Sequence, residues 1–281
     1  MVARKGQRAD GFTLIEIAVV IAIIGALLGT LLVPLATQIE ATKIKATDRD
    51  MESIREALIG YAMANGRLPC PDHDGDGLED RDLRSTLSLD SGPTLQCDSD
   101  TTAAGVTPDY LGWLPHADLG VGASDAWGRK YLYEVSPEFT YEALNGQGTG
   151  VANQLDMGDT GTLTVQTRTD DPATVVVETR ATQIIGNAVP AVIVSAGPNG
   201  YGATTSANTV ITDPDVTMDE TRDERGNRDT DSVYMFRTQT IEGAACDDAV
   251  EGDSFCEFDD RVAWLSSSLL FNRLVTAGVL P

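Results

Sequence analysis

The chain has 281 residues, 42% of them hydrophobic, and a formal charge of −23. Length and apolar content suffice for one large folded unit plus an anchor, and they exclude a wholly disordered chain. The acidity argues against direct nucleic-acid binding, which needs a positive stripe to displace phosphate counterions, and no Lys/Arg cluster rises above the acidic background.

Residues 1–11, MVARKGQRADG, are polar and basic and stop at Phe12, where an apolar run extends to Leu35. As a helix, residues 12–35 would measure about 36 Å at ~1.5 Å per residue, against a hydrocarbon core of ~30 Å. They are expected to cross a bilayer with the basic side cytoplasmic. No A-x-A-like site follows Leu35 closely, which argues against removal of the run as an ordinary secretory signal.

Glu16 lies inside that run. An acid near the start of a span costs about 2.5 to 3.5 kcal/mol on the lenient insertion scale, so it calls for a partner. Cutting the bond before Phe12 would create an α-amine at the lip of the span. Glu16 of a neighbouring chain could pair with that cation inside a helical bundle.

Gly11-Phe12-Thr13-Leu14-Ile15-Glu16 and the apolar continuation resemble the N-terminus of type IV prepilins and type II secretion pseudopilins. The resemblance implies that a membrane aspartyl prepilin peptidase cuts after Gly11 and methylates the new Phe12 amine. It implies Glu16 as the assembly residue and a single-pass subunit of the bacterial inner membrane with its head in the periplasm. The partners it implies are other pilins or pseudopilins and the inner-membrane assembly platform. Pro34 stands one position further from Gly25 than in the common pilin pattern. Loss of residues 1–11 removes Arg4, Lys5, Arg8 and Asp10, leaving the remainder two charges more acidic.

From residue 36 to 65, Ile39, Ile44, Met51, Ile54, Leu58 and Tyr61 stand among charged residues at the spacing of an amphipathic helix. That helix is expected to continue the span and to stop at Asn65-Gly66. Residues 66–281 then form the acidic head. Its first part, from Arg67 to about Ala126, reads as loop-rich.

Within that part, Asp72, Asp74, Asp76 and Asp80 occupy positions 1, 3, 5 and 9 of an EF-hand-like loop, with Gly77 at the sharp turn. Hard oxygen ligands on a tight loop point to Ca2+, although Leu83 stands where a twelfth-position Glu is usual. The alternative is a solvated acidic turn. Cys70, His73 and Cys97 have a zinc-compatible spacing but lack an evident fourth ligand.

Four cysteines in an exported chain read as disulfides. Pairing neighbours gives Cys70 with Cys97 and Cys246 with Cys256, while the other two connectivities stay open. Strands are expected at 130–135, 162–166, 174–179, 191–195 and 233–237, forming an antiparallel sheet. Asp259 or Asp260 is expected to cap a last helix carrying Val262, Leu265, Leu269 and Leu274 inward, ended by Gly278. The acidic run Asp213–Asp223 reads as solvated loop.

Asp125-Ala126-Trp127-Gly128-Arg129-Lys130-Tyr131-Leu132-Tyr133 resembles the D-x-W-G-x-x-Y-x-Y segment of major pseudopilins, and Ser195-Ala196-Gly197-Pro198-Asn199-Gly200 resembles their S-x-G-x-[DN]-G loop. By that resemblance Ser195, Asp229 and Asp231 are a second candidate Ca2+ set. Catalysis finds no support: His73 and His116 are the only histidines, and neither G-x-S-x-G nor H-E-x-x-H occurs. The expectation is an α+β, type IV pilin-like fold, a long N-terminal helix packed on an antiparallel sheet, serving as a minor pilin. A type II secretion pseudopilin and a membrane-anchored, calcium-dependent adhesion or binding module are the alternatives.

Overall fold

The computed structural model describes residues 13–82, 94–97, 110–140, 142–143, 155–168, 182–212, 223–229, 231–240, 246–248 and 256–280, apart from the side chains of 27–36, 82, 94–96 and 142–143. Residues 1–12, the strand expected at 174–179 and nearly all of the run 213–223 lie outside this set. The chain divides into two compact units, residues 1–43 and 44–281.

Helix α1 runs unbroken over Leu14–Asn65. In its C-terminal part Met51, Ile54, Leu58 and Ala62 recur every three or four residues and are buried, so one stripe faces the core. The predicted stripe begins later than its sequence pattern does, because Ile39 is exposed and Ile44 half-buried. Gly66, with φ of +72°, ends the helix by donating its N–H to the Ala62 carbonyl at 2.8 Å. Among the described residues no helix is long and apolar enough to cross a membrane. The expected span at 12–35 includes residues 27–35, whose side chains are outside the described set.

The head continues with β1 (Arg81–Asp82), β2 (Thr94–Cys97), β3 (Leu111–Trp113), the single turn α2 (His116–Leu119) and β4 (Leu132–Val135). Next come β5 (Glu142–Ala143), β6 (Leu163–Arg168), β7 (Thr182–Val189) and β8 (Ala191–Ser195). The short α3 (Asp223–Gly226), β9 (Val233–Met235), β10 (Arg261–Leu265) and α4 (Ser267–Thr276) complete it.

The central sheet has the order β10-β8-β4-β3 and is antiparallel throughout. One face, through Tyr133, Val135, Ile193 and Leu265, shares a core with Met51, Ile54 and Leu58 of α1 and Leu270 and Leu274 of α4. On the other face Val192, Val194 and Val262 pack with Leu163, Val165 and Tyr234 of a second sheet, ordered β7-β6-β9. Burial on both faces explains why Ala191, Val192, Ile193 and Val194 read as an unbroken apolar run rather than an alternation. Each fully buried aliphatic side chain stabilises such layers by roughly 1.5–3 kcal/mol.

Two expectations need correction. The second sheet is mixed, since β6 pairs with β9 in parallel. Residues 261–265 form strand β10, so Asp259 and Asp260 cap no helix and α4 starts after Ser266. The spacing of Val262, Leu265 and Leu269 is helical, but five consecutive backbone pairings with β8 decide for a strand. Gly278, with φ of +74°, follows the helix end as expected.

Both disulfides join sequence neighbours, Cys70–Cys97 and Cys246–Cys256, and the described residues contain no free cysteine. The zinc reading falls with the thiols of Cys70 and Cys97.

Candidate functional site

At the N-terminus Thr13 and Glu16 close a capping box on α1. Thr13 donates its N–H (2.9 Å) and its hydroxyl (2.8 Å) to Glu16 Oε2, and Glu16 returns its N–H to Thr13 Oγ1 at 3.3 Å. Two orphan donors of the helix start are thereby satisfied. The T-x-x-E signal of such a box stands in the sequence at Thr13 and Glu16. Every described side chain from Thr13 to Ala26 is exposed, Leu14 at 92% and Ile15 at 70% among them. An apolar surface of that size needs lipid or other helices over it. Gly11 and Phe12 lie outside the described residues.

In the head, the loop after Cys70 turns on Asp72. Its buried carboxylate accepts the N–H of Gly75 (2.6 Å) and of Gly77 (2.9 Å). Asp80 Oδ2 accepts from His73 and Asp74, at 2.6 and 3.2 Å. Asp72, Asp74 and Asp80 bring carboxylate oxygens within 4.8 Å of one another; Asp76 does not join them and instead accepts the Leu78 N–H at 2.7 Å. Burial raises the Asp80 pKa, against the hydrogen bonds it receives. Gly77, with φ of +90°, packs under the His116 ring where a Cβ would collide.

Glu79, in the same loop, is a structural anchor. It accepts from Arg67 Nη1 (2.8 Å) and Nη2 (2.6 Å), Tyr61 (2.8 Å) and the Cys70 N–H (3.0 Å). Burial opposes its ionisation, but the Arg67 bonds prevail and hold its pKa below the ordinary value.

The two pseudopilin-like segments meet. Asp125 Oδ1 accepts the N–H groups of Trp127 (2.9 Å) and Arg129 (3.0 Å), and Gly128 at φ of +81° completes the turn into β4. Arg129 then reaches across to donate to the Gly197 carbonyl and, at 2.6 Å, to that of Pro198. Ser195 donates its buried hydroxyl to Asp125 Oδ2 at 2.7 Å. Asp229 and Asp231 each accept a turn N–H, from Asp231 (3.0 Å) and Val233 (2.8 Å).

A different acidic cluster adjoins that loop. Glu224, Asp259 and Asp260, only 4–5% exposed, hold carboxylate oxygens within 4.8 Å of one another. Asp260 is paired with Arg228 at 2.8 Å and accepts from Asn227 at 3.1 Å. Asp259 Oδ2 accepts the Asn199 N–H at 2.8 Å, while its Oδ1 is buried with no partner. Burial, then the Glu224 charge, pushes Asp259 up to about 9. Asp260 is raised to about 7 by burial and Glu224 against the pull of Arg228. Sequence reading missed this set because it made Asp259 and Asp260 helix caps. Nearby Asp223, read as solvated loop, is instead buried and bonded to Arg168 at 2.8 Å.

Residues 6–32 match a family model described as the prokaryotic N-terminal methylation motif. The motif is that of type IV pilins and pseudopilins, a structural class, and it supports a pilin-like substrate of prepilin peptidase that assembles with other pilins. No curated protein and no solved structure matches the chain.

Proposed function

We propose that the chain is a minor pilin, cut between Gly11 and Phe12 by prepilin peptidase and built into a filament through the first half of α1. The supporting observation is the methylation motif at residues 6–32 opening a long helix whose described first turns are apolar and exposed. The run to Leu35 holds the subunit in the inner membrane before assembly, and lateral helix contacts replace lipid afterwards. The acidic head is displayed outward.

A type II secretion pseudopilin is the second reading. It is favoured by the way Arg129 of the DAWGR segment fastens the SAGPNG loop beside β8. In either reading the head takes Ca2+, and the better-placed set is Glu224, Asp259 and Asp260. Their carboxylates converge, Asp260 on Arg228, and a buried oxygen of Asp259 lacks any donor. Oxygen-only ligands suit calcium. Asp72, Asp74 and Asp80 form a weaker set, because both oxygens of Asp72 already accept backbone amides and Asp74 is exposed.

The test is fractionation of sheared filaments from the source cells after deletion of each pilus or secretion gene cluster. The processed chain is expected in the filament fraction and to vanish from it with the pilus genes. Loss with the secretion genes alone selects the pseudopilin, and absence from every filament fraction rejects both.

A further inference from the structure

Ligands far apart in sequence need a frame to hold them together. Glu224 sits on α3, a single helical turn, and a turn of that length does not hold itself in water. Asp259 lies 35 residues further on, with Asp260 beside it, on the run into β10. Oxygens of all three nevertheless stand within 4.8 Å of one another, the span of two Ca–O bonds of about 2.4 Å each.

Asp248, with no exposed surface, supplies the frame. Its Oδ2 accepts the N–H of Asp223 at 2.9 Å, at the start of α3 and next to Glu224. Its Oδ1 accepts the N–H of Cys256 at 3.0 Å, shortly before Asp259, and Arg237 Nη2 at 2.9 Å. Arg237 in turn places its Nε 3.0 Å from Asp223 Oδ2 and lies over the Phe258 ring, 4.6 Å from its centre. One carboxylate thus ties the segment of Glu224 to the segment of Asp259 and Asp260. The Cys246–Cys256 bridge fixes the position of Asp248, which follows Cys246 closely in the chain. Both oxygens of Asp248 are taken by these donors, so it positions the set and is not one of the ligands.

We propose that Asp248 and the Cys246–Cys256 bridge set the calcium affinity of Glu224, Asp259 and Asp260. With the bridge closed, the three carboxylates stand at coordinating distance before the ion arrives. Without it, binding must also order both segments, and that cost is subtracted from the affinity. The inference rests on the reading of this set as the calcium site. The Cys70–Cys97 bridge joins the start of the Asp72 loop to β2 and supplies the natural control.

Calcium chloride, titrated by calorimetry into the EDTA-stripped full chain in detergent, is the probe, at a temperature where circular dichroism shows each variant folded. The parent chain is expected to bind with a dissociation constant on the order of 0.1–1 mM, as in extracellular calcium modules. Cys246→Ser with Cys256→Ser, and separately Asp248→Asn, should each weaken binding by about 10- to 100-fold. The first of these leaves every charge in place, so its effect is not electrostatic. Cys70→Ser with Cys97→Ser also removes a bridge but should bind calcium as the parent does. Should the Cys246 and Cys256 variant fail to fold, Asp248→Asn decides, since Arg237 keeps Asp223. A parent chain that binds no calcium would overturn the calcium site and this inference together. Calcium binding by the parent with undiminished binding by the Asp248 or Cys246 and Cys256 variants, or equal weakening in the Cys70 and Cys97 control, would overturn the positioning role alone.

Discussion

Thr13 Oγ1 and Glu16 Oε2 lie 2.8 Å apart, so the acid that the sequence presents as a buried charge in search of a partner already has one on its own helix. Glu16 caps α1, and in the filament proposed above its charge would also meet the Phe12 amine of a neighbour. Glutamine keeps the capping geometry and removes the charge.

Glu16→Gln should thus leave helicity and processing intact but remove the chain from filaments. Thr13→Ala should weaken the helix start by about 0.5–2 kcal/mol with incorporation retained. Sheared-filament immunoblots beside circular dichroism check both; normal incorporation of Glu16→Gln would refute the charge-pairing role.

The Arg67–Glu79 pair anchors the Asp72 loop to the end of α1. Arg67→Met leaves Glu79 buried without its strongest partner, and breaking such a pair costs about 3–5 kcal/mol. A urea titration of the variant should show the midpoint fall by a corresponding amount. A midpoint within error of the parent chain would show that the Tyr61 and Cys70 contacts suffice.

The pH dependence of the cation-free head follows from Asp259, at about 9, and Asp260, at about 7, against an ordinary value of 3.8. Both pKa values are raised by folding, so the folded state holds protons that the unfolded state releases. Their contribution is complete below the unfolded value and is lost as pH rises through 7 and then 9. In EDTA the melting temperature should therefore fall between about pH 6 and pH 9, and added calcium should flatten that slope. A melting temperature that climbs over this interval in EDTA would contradict the burial of these carboxylates.

Sequence carried the N-terminal motif, the strand at 191–195, the end of α1 at Gly66 and both disulfides, because each rests on local chemistry. It misplaced 261–265, where helical spacing and strand pairing compete and only the ladder with β8 decides. It passed over β7, whose TQIIGNAV run has a central Gly186 beside Trp264 and Val165, a close approach that chain order cannot reveal. Glu224 lies 35 residues from Asp259, so the buried carboxylate cluster appears only once the strands are laid side by side.

The two disulfides close loops of 27 and 10 residues. Removing a native disulfide from a small secreted domain costs about 2–5 kcal/mol. Cys246→Ser with Cys256→Ser should lower the melting temperature by several degrees and free Asp248, which accepts the Cys256 N–H at 3.0 Å and Arg237 at 2.9 Å. Scanning calorimetry of the double variant measures this, and an unchanged transition would show that the Asp248 contacts hold the loop without the bridge.

The central claim concerns the bond before Phe12, and mass spectrometry of the N-terminal peptide from cells with an active prepilin peptidase tests it most directly. The expected peptide begins at Phe12 with a methylated amine. A chain that retains Met1 to Gly11 in those cells would contradict the claim.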